Sequence, residues 1–205
     1  MTEQAPPDEP ESDWSSFLEG TADRPPLPFF DRAMEFVDGD NGRGRLAVDL
    51  GCGGGADTRA LLARGWRVFA TDGSPSAERL ILDRVDPDHA DRLSITIGSF
   101  EDVVLPSADL VFAQMSLPFA GASLDRVTEN TLRAVVKGGA FAGHFFGHKD
   151  DWIDVTNVAG VDRPWIEQHF DGFDEVEITE TDQEGPYGLE GTLKHWHYYF
   201  VLARR

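Results

Sequence analysis

Four glycines stand at Gly51, Gly53, Gly54 and Gly55, two residues after a carboxylate, Asp49, and directly ahead of a helical pattern that starts at Ala56. At such a turn the backbone can approach a ligand where any Cβ would collide. The helix behind it aims unpaired N–H groups and the positive end of its dipole at the same spot, which favours a carboxylate or a phosphate. Gly51-x-Gly53-x-x-Ala56 also satisfies a dinucleotide-binding pattern. Asp49 separates the two ligand classes, because a carboxylate there repels a pyrophosphate but not a cationic amino-acid ligand. A second carboxylate, Asp72, lies 21 residues beyond Gly51 and just before Gly73. One strand–helix–strand unit imposes that spacing, and a carboxylate so placed can accept both hydroxyls of a ribose; the plainer reading is an aspartate at a helix start.

These groups need elements that bring strand ends together. Leu46-Ala-Val48 enters the glycine turn as a buried strand, the helix from Ala56 to Arg64 stops at Gly65 in a left-handed cap, and Trp66 to Asp72 is a second strand. Ser74 as N-cap and Pro75 as first helical residue then open a helix carrying Ala77, Leu80, Ile81 and Val85. Leu93-Ser-Ile95-Thr-Ile97 alternates as a third strand and opens onto Gly98-Ser99-Phe100-Glu101. Ala108 to Ala113 is a fourth strand ending in Gln114-Met115-Ser116-Leu117-Pro118-Phe119, and a helix through Leu124, Val127, Leu132 and Val135 closes at Lys137-Gly138-Gly139. The fifth strand, Ala140 to Phe146, sets Ala140, Ala142, His144 and Phe146 on one face. A helix around Pro164 to Phe170 and strands at Phe173 to Ile178 and Lys194 to Arg204 follow, the last two forming an antiparallel pair because no helix joins them. The expected fold is α/β: a Rossmann-like, doubly wound, seven-stranded and mostly parallel sheet with a C-terminal antiparallel hairpin.

Ahead of the first strand, residues 1–13 hold Pro6, Pro7 and Pro10 among acidic residues, with no basic residue before Arg24, the composition of a disordered tail. Over residues 14–43, Trp14, Phe17 and Leu18 fall at helical spacing and Phe29 and Phe30 follow. So many aromatic side chains need a surface to cover, either on the flank of the domain or as a lid over the ligand mouth. Arg24 is the residue suited to reach a ligand carboxylate.

Asp49-x-Gly51-x-Gly53-x-Gly55 resembles the first motif of the class I S-adenosylmethionine-dependent methyltransferases. The acidic strand end at Asp72, the Phe100-Glu101 loop, Gly138-Gly139 and the terminal hairpin follow in that family's order over residues 44–205. Ser116-Leu117-Pro118-Phe119, Phe146-Gly147-x-x-Asp150-x-Trp152 and Lys194-His195-Trp196-His197 are similar to small bacterial tellurite-resistance and thiopurine-like methyltransferases. The resemblance implies S-adenosylmethionine as cofactor and S-adenosylhomocysteine as product. Asp49, Gly51, Cys52, Gly53, Asp72, Gly73, Ser99, Phe100, Glu101, Gln114 and Met115 would hold it, with Gly51 and Gly53 under the methionine moiety, Asp72 on the ribose, and Phe100 and Glu101 around the adenine. The chain departs from the family at Ser99, where an acidic residue is usual, and it lacks the Asn-Pro-Pro-Tyr common where amino groups are methylated.

The same resemblance places the methyl acceptor beyond Gln114 to Phe119, where Trp14, Arg24, Phe29, Phe30, Phe119 and Phe146 are the expected substrate-binding residues. It also implies a final strand inserted antiparallel beside the fifth. His144 is then expected to meet His195 and His197 at the acceptor pocket, where histidine can orient a substrate or remove a proton near neutral pH. A structural strand edge and a three-histidine metal site are the alternatives, and no resident metal is expected. A soft thiol or selenol acceptor would need no strong base, and an oxygen nucleophile is the other class. Two further functional readings are a nicotinamide-dependent small reductase and a cofactor-binding partner or regulatory protein without chemistry.

Composition narrows the field. The chain of 205 residues carries 37 acidic and 18 basic residues, a net charge of −19, so phosphate backbones and anionic membranes are repelled. That count argues for a small-molecule substrate, with no nucleic-acid and no membrane partner; a monomer or homodimer is expected. The three lysines, Lys137, Lys149 and Lys194, make a surface that suits a high-salt cytoplasm, although a biased genome composition yields the same letters. One cysteine, Cys52, excludes an internal disulfide and a cysteine cage, and no run reaches the ~18 apolar residues of a membrane span, so a cytoplasmic location is expected.

Overall fold

Ala47, Val48 and Leu50 can all be buried only in a strand flanked by strands and covered by helices above and below. β1 (Leu46–Leu50) meets that demand, pairing in parallel with β2 (Arg67–Asp72) on one side and β4 (Ala108–Ala113) on the other. β3 (Leu93–Ile97) lies outside β2, and β5 (Val135–Gly147) lies outside β4. The sheet order is β3-β2-β1-β4-β5-β8-β7, with β8 (Thr192–Arg204) antiparallel to both β5 and β7 (Glu175–Tyr187). This computed structural model describes residues 12–37, 42–154, 157–187 and 191–205. The expected tail lies outside the described residues as far as residue 11.

The expected α/β architecture, mostly parallel sheet and closing antiparallel pair are all present. An eighth strand is added by β6 (Gly160–Val161), two residues paired in parallel with β5 and too short to leave a pattern in the sequence. β5 also begins at Val135, so the helix expected to reach that residue stops one earlier, at α5 (Leu124–Ala134). Gly138 keeps the extended run possible by taking a φ of 79°, a conformation open to glycine at little cost.

α2 (Pro28–Phe36), α3 (Ala56–Ala63) and α4 (Ser76–Leu82) cover one face of the sheet, where Phe30, Leu61, Leu62 and Ile81 pack with Leu110, Phe112 and Ala142. α5 and α6 (Arg163–His169) cover the other, where Leu132, Ile166 and Phe170 pack with Phe141, Phe145, Tyr199 and Val201. Because neighbours along a strand face opposite ways, His144 and Phe146 look toward the α2 side and Phe145 toward the α6 side. α1 (Ser12–Thr21) packs at the edge of α4, burying Leu18 and Ala22 with Leu80. β5 pairs with β8 only over 140–146, whereas β7 and β8 pair to Tyr187 and Thr192. The far half of that pair therefore runs past the sheet as a two-stranded ribbon.

Candidate active site

The glycine turn is built by three residues with positive φ, Gly51 (75°), Gly53 (52°) and Gly55 (81°). Only glycine does this freely, and there is no room for more: a Cβ on Gly51 would sit 2.3 Å from Ser116 Cβ, and one on Gly55 2.5 Å from Ile81 Cγ1. The Thr71 carbonyl accepts the N–H groups of Gly51 (2.8 Å) and Cys52 (3.0 Å). Asp72 completes the frame, its Oδ2 accepting the Gly53 N–H and its Oδ1 the Ser74 N–H, both at 2.8 Å. Ser74, expected as the N-cap, caps no backbone group: its hydroxyl bonds Ser76 Oγ at 2.8 Å, and α4 starts at Ser76 without a side-chain cap.

Three carboxylates converge here. Asp49 is buried beneath the turn, where Thr58 Oγ1 donates to it at 2.5 Å. Burial first, then the Asp57 charge, holds the Asp49 carboxyl well above the usual carboxylate range. Burial also raises Asp57, against the pull of Arg24 and Arg59, and raises Asp72 against the backbone N–H bonds from Ser74 and Gly53. Buried Asp57 Oδ1, Gln114 Oε1 and Ser116 Oγ find no partner among the described residues. Met115, between the last two, is held at a φ of 51°, a strained state for a side chain of this size. A cluster of unmatched polar atoms around a glycine cradle is what a bound polar ligand would satisfy.

α1 sits directly on this turn. A Cβ on Gly54 would meet Ala22 Cα at 2.7 Å, and one on Gly53 would meet Leu18 Cδ2 at 3.0 Å. Arg59 fastens the contact, donating through Nη1 to the Gly54 carbonyl (2.9 Å) and through Nη2 to the Ala22 carbonyl (2.6 Å). Arg79 pairs with Glu19 (2.6 Å) and Arg84 with Asp23 (2.7 Å) along the same seam. Two clefts of about 200 and 350 Å³ lie elsewhere, and none of residues 51–55 lines either.

Beyond the end of β4 runs a wall of rings. Trp14 meets Phe119 edge to face with centroids 5.1 Å apart, Phe119 reaches Phe146 (6.0 Å) and Trp152 (6.1 Å), and Trp152 reaches Trp196 (5.3 Å). Under it lies a buried ion pair that the motif reading passed over. Lys194 Nζ donates to Asp150 Oδ1 and lies 3.8 Å from the Trp196 ring centroid and 4.1 Å from that of Trp152. Asp150 also accepts the N–H groups of Trp152 and His197, both at 3.0 Å. A signal existed: Lys194, Trp196, Tyr198 and Phe200 share one strand face, and a lysine there needs a carboxylate partner.

The three histidines do not meet. His144 pairs with Phe200 across the β5–β8 ladder, which puts the even-numbered residues of β8 on its face and His195 and His197 on the opposite one. His197 Nδ1 accepts the Lys149 N–H (3.1 Å), so its proton lies on Nε2 and is donated to Glu180 (3.0 Å). His195 Nε2 meets Asp182 at 2.7 Å, and its N–H donates to Asp151 at 2.7 Å. The His197 ring and the His195 backbone pin the ribbon to the loop after β5, while the His195 ring ties β8 to β7. Glu180, Asp182 and His197 place ligand atoms within 4.8 Å of one another, but a metal would need the Nε2 lone pair that this tautomer lacks, and Lys149 already holds Asp182 at 2.6 Å.

Other expected residues divide between surface, core and cradle. Cys52 is buried in the turn, while Gly73 borders open space. Phe100 packs on the core cluster of the α5 side, Ser99 Oγ donates to Asp102 at 2.8 Å, and Glu101 is exposed with its carboxyl lowered by its own backbone N–H and by Ser123. Arg24 acts on Asp57 by charge. Phe30 is fully buried against Phe112, so it anchors α2 in the core instead of lining an acceptor site. Phe146 is fully buried too and reaches the wall through its ring contacts with Phe119, Trp152 and Trp196.

A family model described as a methyltransferase domain matches residues 48–143, from within β1 to within β5. The chain is also 33% identical over 102 residues to magnesium-protoporphyrin O-methyltransferase of Rhodobacter capsulatus, covering 47% of this chain and 46% of that protein. Residues 48–143 thus carry a class I S-adenosylmethionine-dependent methyltransferase domain. The chain spans about half the length of that curated relative. TehB from Haemophilus influenzae superposes with a TM-score of 0.68 at 13% identity, over 88% of this chain and 62% of that one. The 1,6-didemethyltoxoflavin N1-methyltransferase of Burkholderia thailandensis, solved with S-adenosylhomocysteine, gives 0.60 at 16% identity over 93% and 84%. At such identities these two attest the methyltransferase fold. S-adenosylmethionine is the cofactor of this domain, and the unmatched polar atoms around the cradle fit it, since the ligand brings an ammonium, a carboxylate and ribose hydroxyls.

Proposed function

We propose that this methyltransferase transfers a methyl group to a small-molecule acceptor presenting a soft thiol or selenol or an oxygen nucleophile. The observation that carries the reading is the aromatic wall Trp14–Phe119–Trp152–Trp196, which continues from the end of β4 beside the unmatched Gln114 and Ser116. Bound S-adenosylmethionine supplies an electrophilic methyl on sulfonium. The glycine turn and Arg24 would take its carboxylate, Asp49 and Asp57 would face its cationic groups, and Asp72 would accept from the ribose. Ser99, Phe100 and Glu101 would border the adenine. The wall's task is to exclude water and align the acceptor, which can supply a large part of such a rate enhancement.

A net charge of −19 opposes a nucleic-acid acceptor, and no described helix is long and apolar enough to cross a membrane. The same reading has the protein acting as a monomer or homodimer in the cytoplasm. Calorimetric titration with S-adenosylmethionine and with a nicotinamide dinucleotide tests the cofactor, and labelled-methyl transfer to a panel of thiols, selenols, carboxylic acids and phenols tests the acceptor. Binding of the dinucleotide alone would overturn the reading.

A further inference from the structure

Ala113 of β4 pairs with Gly143 of β5, so Gln114 and His144 stand one residue past the same rung of the sheet. Both are buried, and each carries a polar atom without a protein partner, Gln114 Oε1 and His144 Nδ1. A buried polar atom left unmatched is unfavourable, and two at neighbouring positions are what a bound polar ligand would satisfy. The surroundings of His144 are aromatic: the Phe29 centroid lies 4.6 Å away, Phe200 3.9 Å and Tyr198 5.7 Å. Among the described residues no charged side chain acts on it; α2 presents Phe29 and β8 presents Tyr198 and Phe200, and burial favours the neutral imidazole. Tyr198 links it to the wall, its ring 6.0 Å from that of Trp196.

Resting on the small-molecule reading above, we infer that the acceptor is a hydroxyl compound with a planar apolar body and that His144 Nδ1 takes its proton. A thiol ionises near neutrality on its own, whereas a phenol or alcohol keeps its proton and needs an acceptor for it. With the ring proton on Nε2, the lone pair of Nδ1 is that acceptor. The hydroxyl oxygen forms the new O–CH₃ bond, the methyl–sulfur bond of the donor breaks with its electron pair staying on sulfur, and the hydroxyl proton passes to Nδ1 and later to solvent. His195 and His197, on the far face, take no part.

The test uses the whole chain with S-adenosylmethionine and two acceptors of matched shape, 4-methylphenol and 4-methylthiophenol, with S-adenosylhomocysteine formation as the readout; the phenol keeps its proton at neutral pH and the thiol does not. His144→Gln and His144→Phe are expected to keep cofactor affinity and to lose about 100-fold or more in kcat on the phenol, with less than about tenfold lost on the thiol. Equal losses on both acceptors, or none on either, overturn the inference. A readout independent of turnover is the ¹⁵N spectrum of histidine-labelled protein, assigned with the same variants. An unprotonated Nδ1 at neutral pH supports the role, and a proton on Nδ1 overturns it. Failure to bind S-adenosylmethionine at all would instead sink the broader functional reading.

Discussion

Arg59 donates to the backbone carbonyl of Ala22 at 2.6 Å, joining the first turn of one helix to the end of another 37 residues away in sequence. The same guanidinium holds the Gly54 carbonyl, so one side chain ties α1 to the glycine turn. Arg59→Met keeps much of the apolar stem and removes both bonds. It should cost about 2 kcal/mol or more, since bonds to a charged donor contribute about 1.5–3 each. Hydrogen exchange should show the loss confined to residues 17–22; uniform loosening would mean that Arg59 supports the whole fold.

Asp72 frames the turn and is the expected ribose ligand. Asp72→Asn keeps the shape but replaces one oxygen with a donor that meets the N–H of Gly53 or Ser74. Calorimetry should show S-adenosylmethionine binding weakened by about tenfold to a hundredfold, the worth of one charge-assisted bond. Unchanged affinity with an unchanged circular dichroism spectrum would remove Asp72 from the ribose.

Asp49, Asp57 and Asp72 all have carboxyl groups raised by burial. Above the ordinary carboxylate range the folded state then holds more protons than the unfolded chain, so stability falls as pH rises. The Tm of the free protein should drop between about pH 5 and about pH 8, and Asp49→Asn should flatten that slope. Cofactor affinity should run the other way, rising over the same window because a cationic ligand takes the ionised carboxylates. A pH-independent affinity would detach these groups from the ligand.

Lys194 and Asp150 are a buried pair, their side chains 3% and 0% exposed. Lys194→Met leaves an uncompensated carboxylate and should cost about 3–5 kcal/mol by urea unfolding. The double variant Lys194→Met/Asp150→Asn should recover most of that loss, because the amide oxygen still meets one of the two N–H groups. No recovery would locate the cost in the lost packing on Trp152 and Trp196.

Local pattern made the cradle legible. Val48 to Ala56 declares its strand, turn and helix within a few residues, and the distance to Asp72 follows from one structural unit. Gly65 takes the left-handed cap expected of it, with a φ of 83°. What could not be read depends on chain segments far apart. Whether His195 or Lys194 shares a face with His144 turns on the β5–β8 register, and a slip of one residue exchanges them. The seating of α1 on Gly53 and Gly54 rests on small side chains, Ala22 above all, whose value lies in fitting a surface the sequence does not display. Phe30 was chosen by type, and aromatic residues serve the core at least as often as a binding wall.

The chain's only thiol lies inside the cradle, and its consequence is experimental. Cys52 is buried in the turn, and burial together with the Asp49 charge pushes its pKa up, so the native protein should be nearly inert to alkylation. Each modification then records one excursion in which the turn uncovers. With no other cysteine to confuse the count, a simple labelling rate becomes a clock for how often the protein breathes at this spot. Saturating cofactor should slow that clock in proportion to occupancy, giving a reading that needs no knowledge of the methyl acceptor.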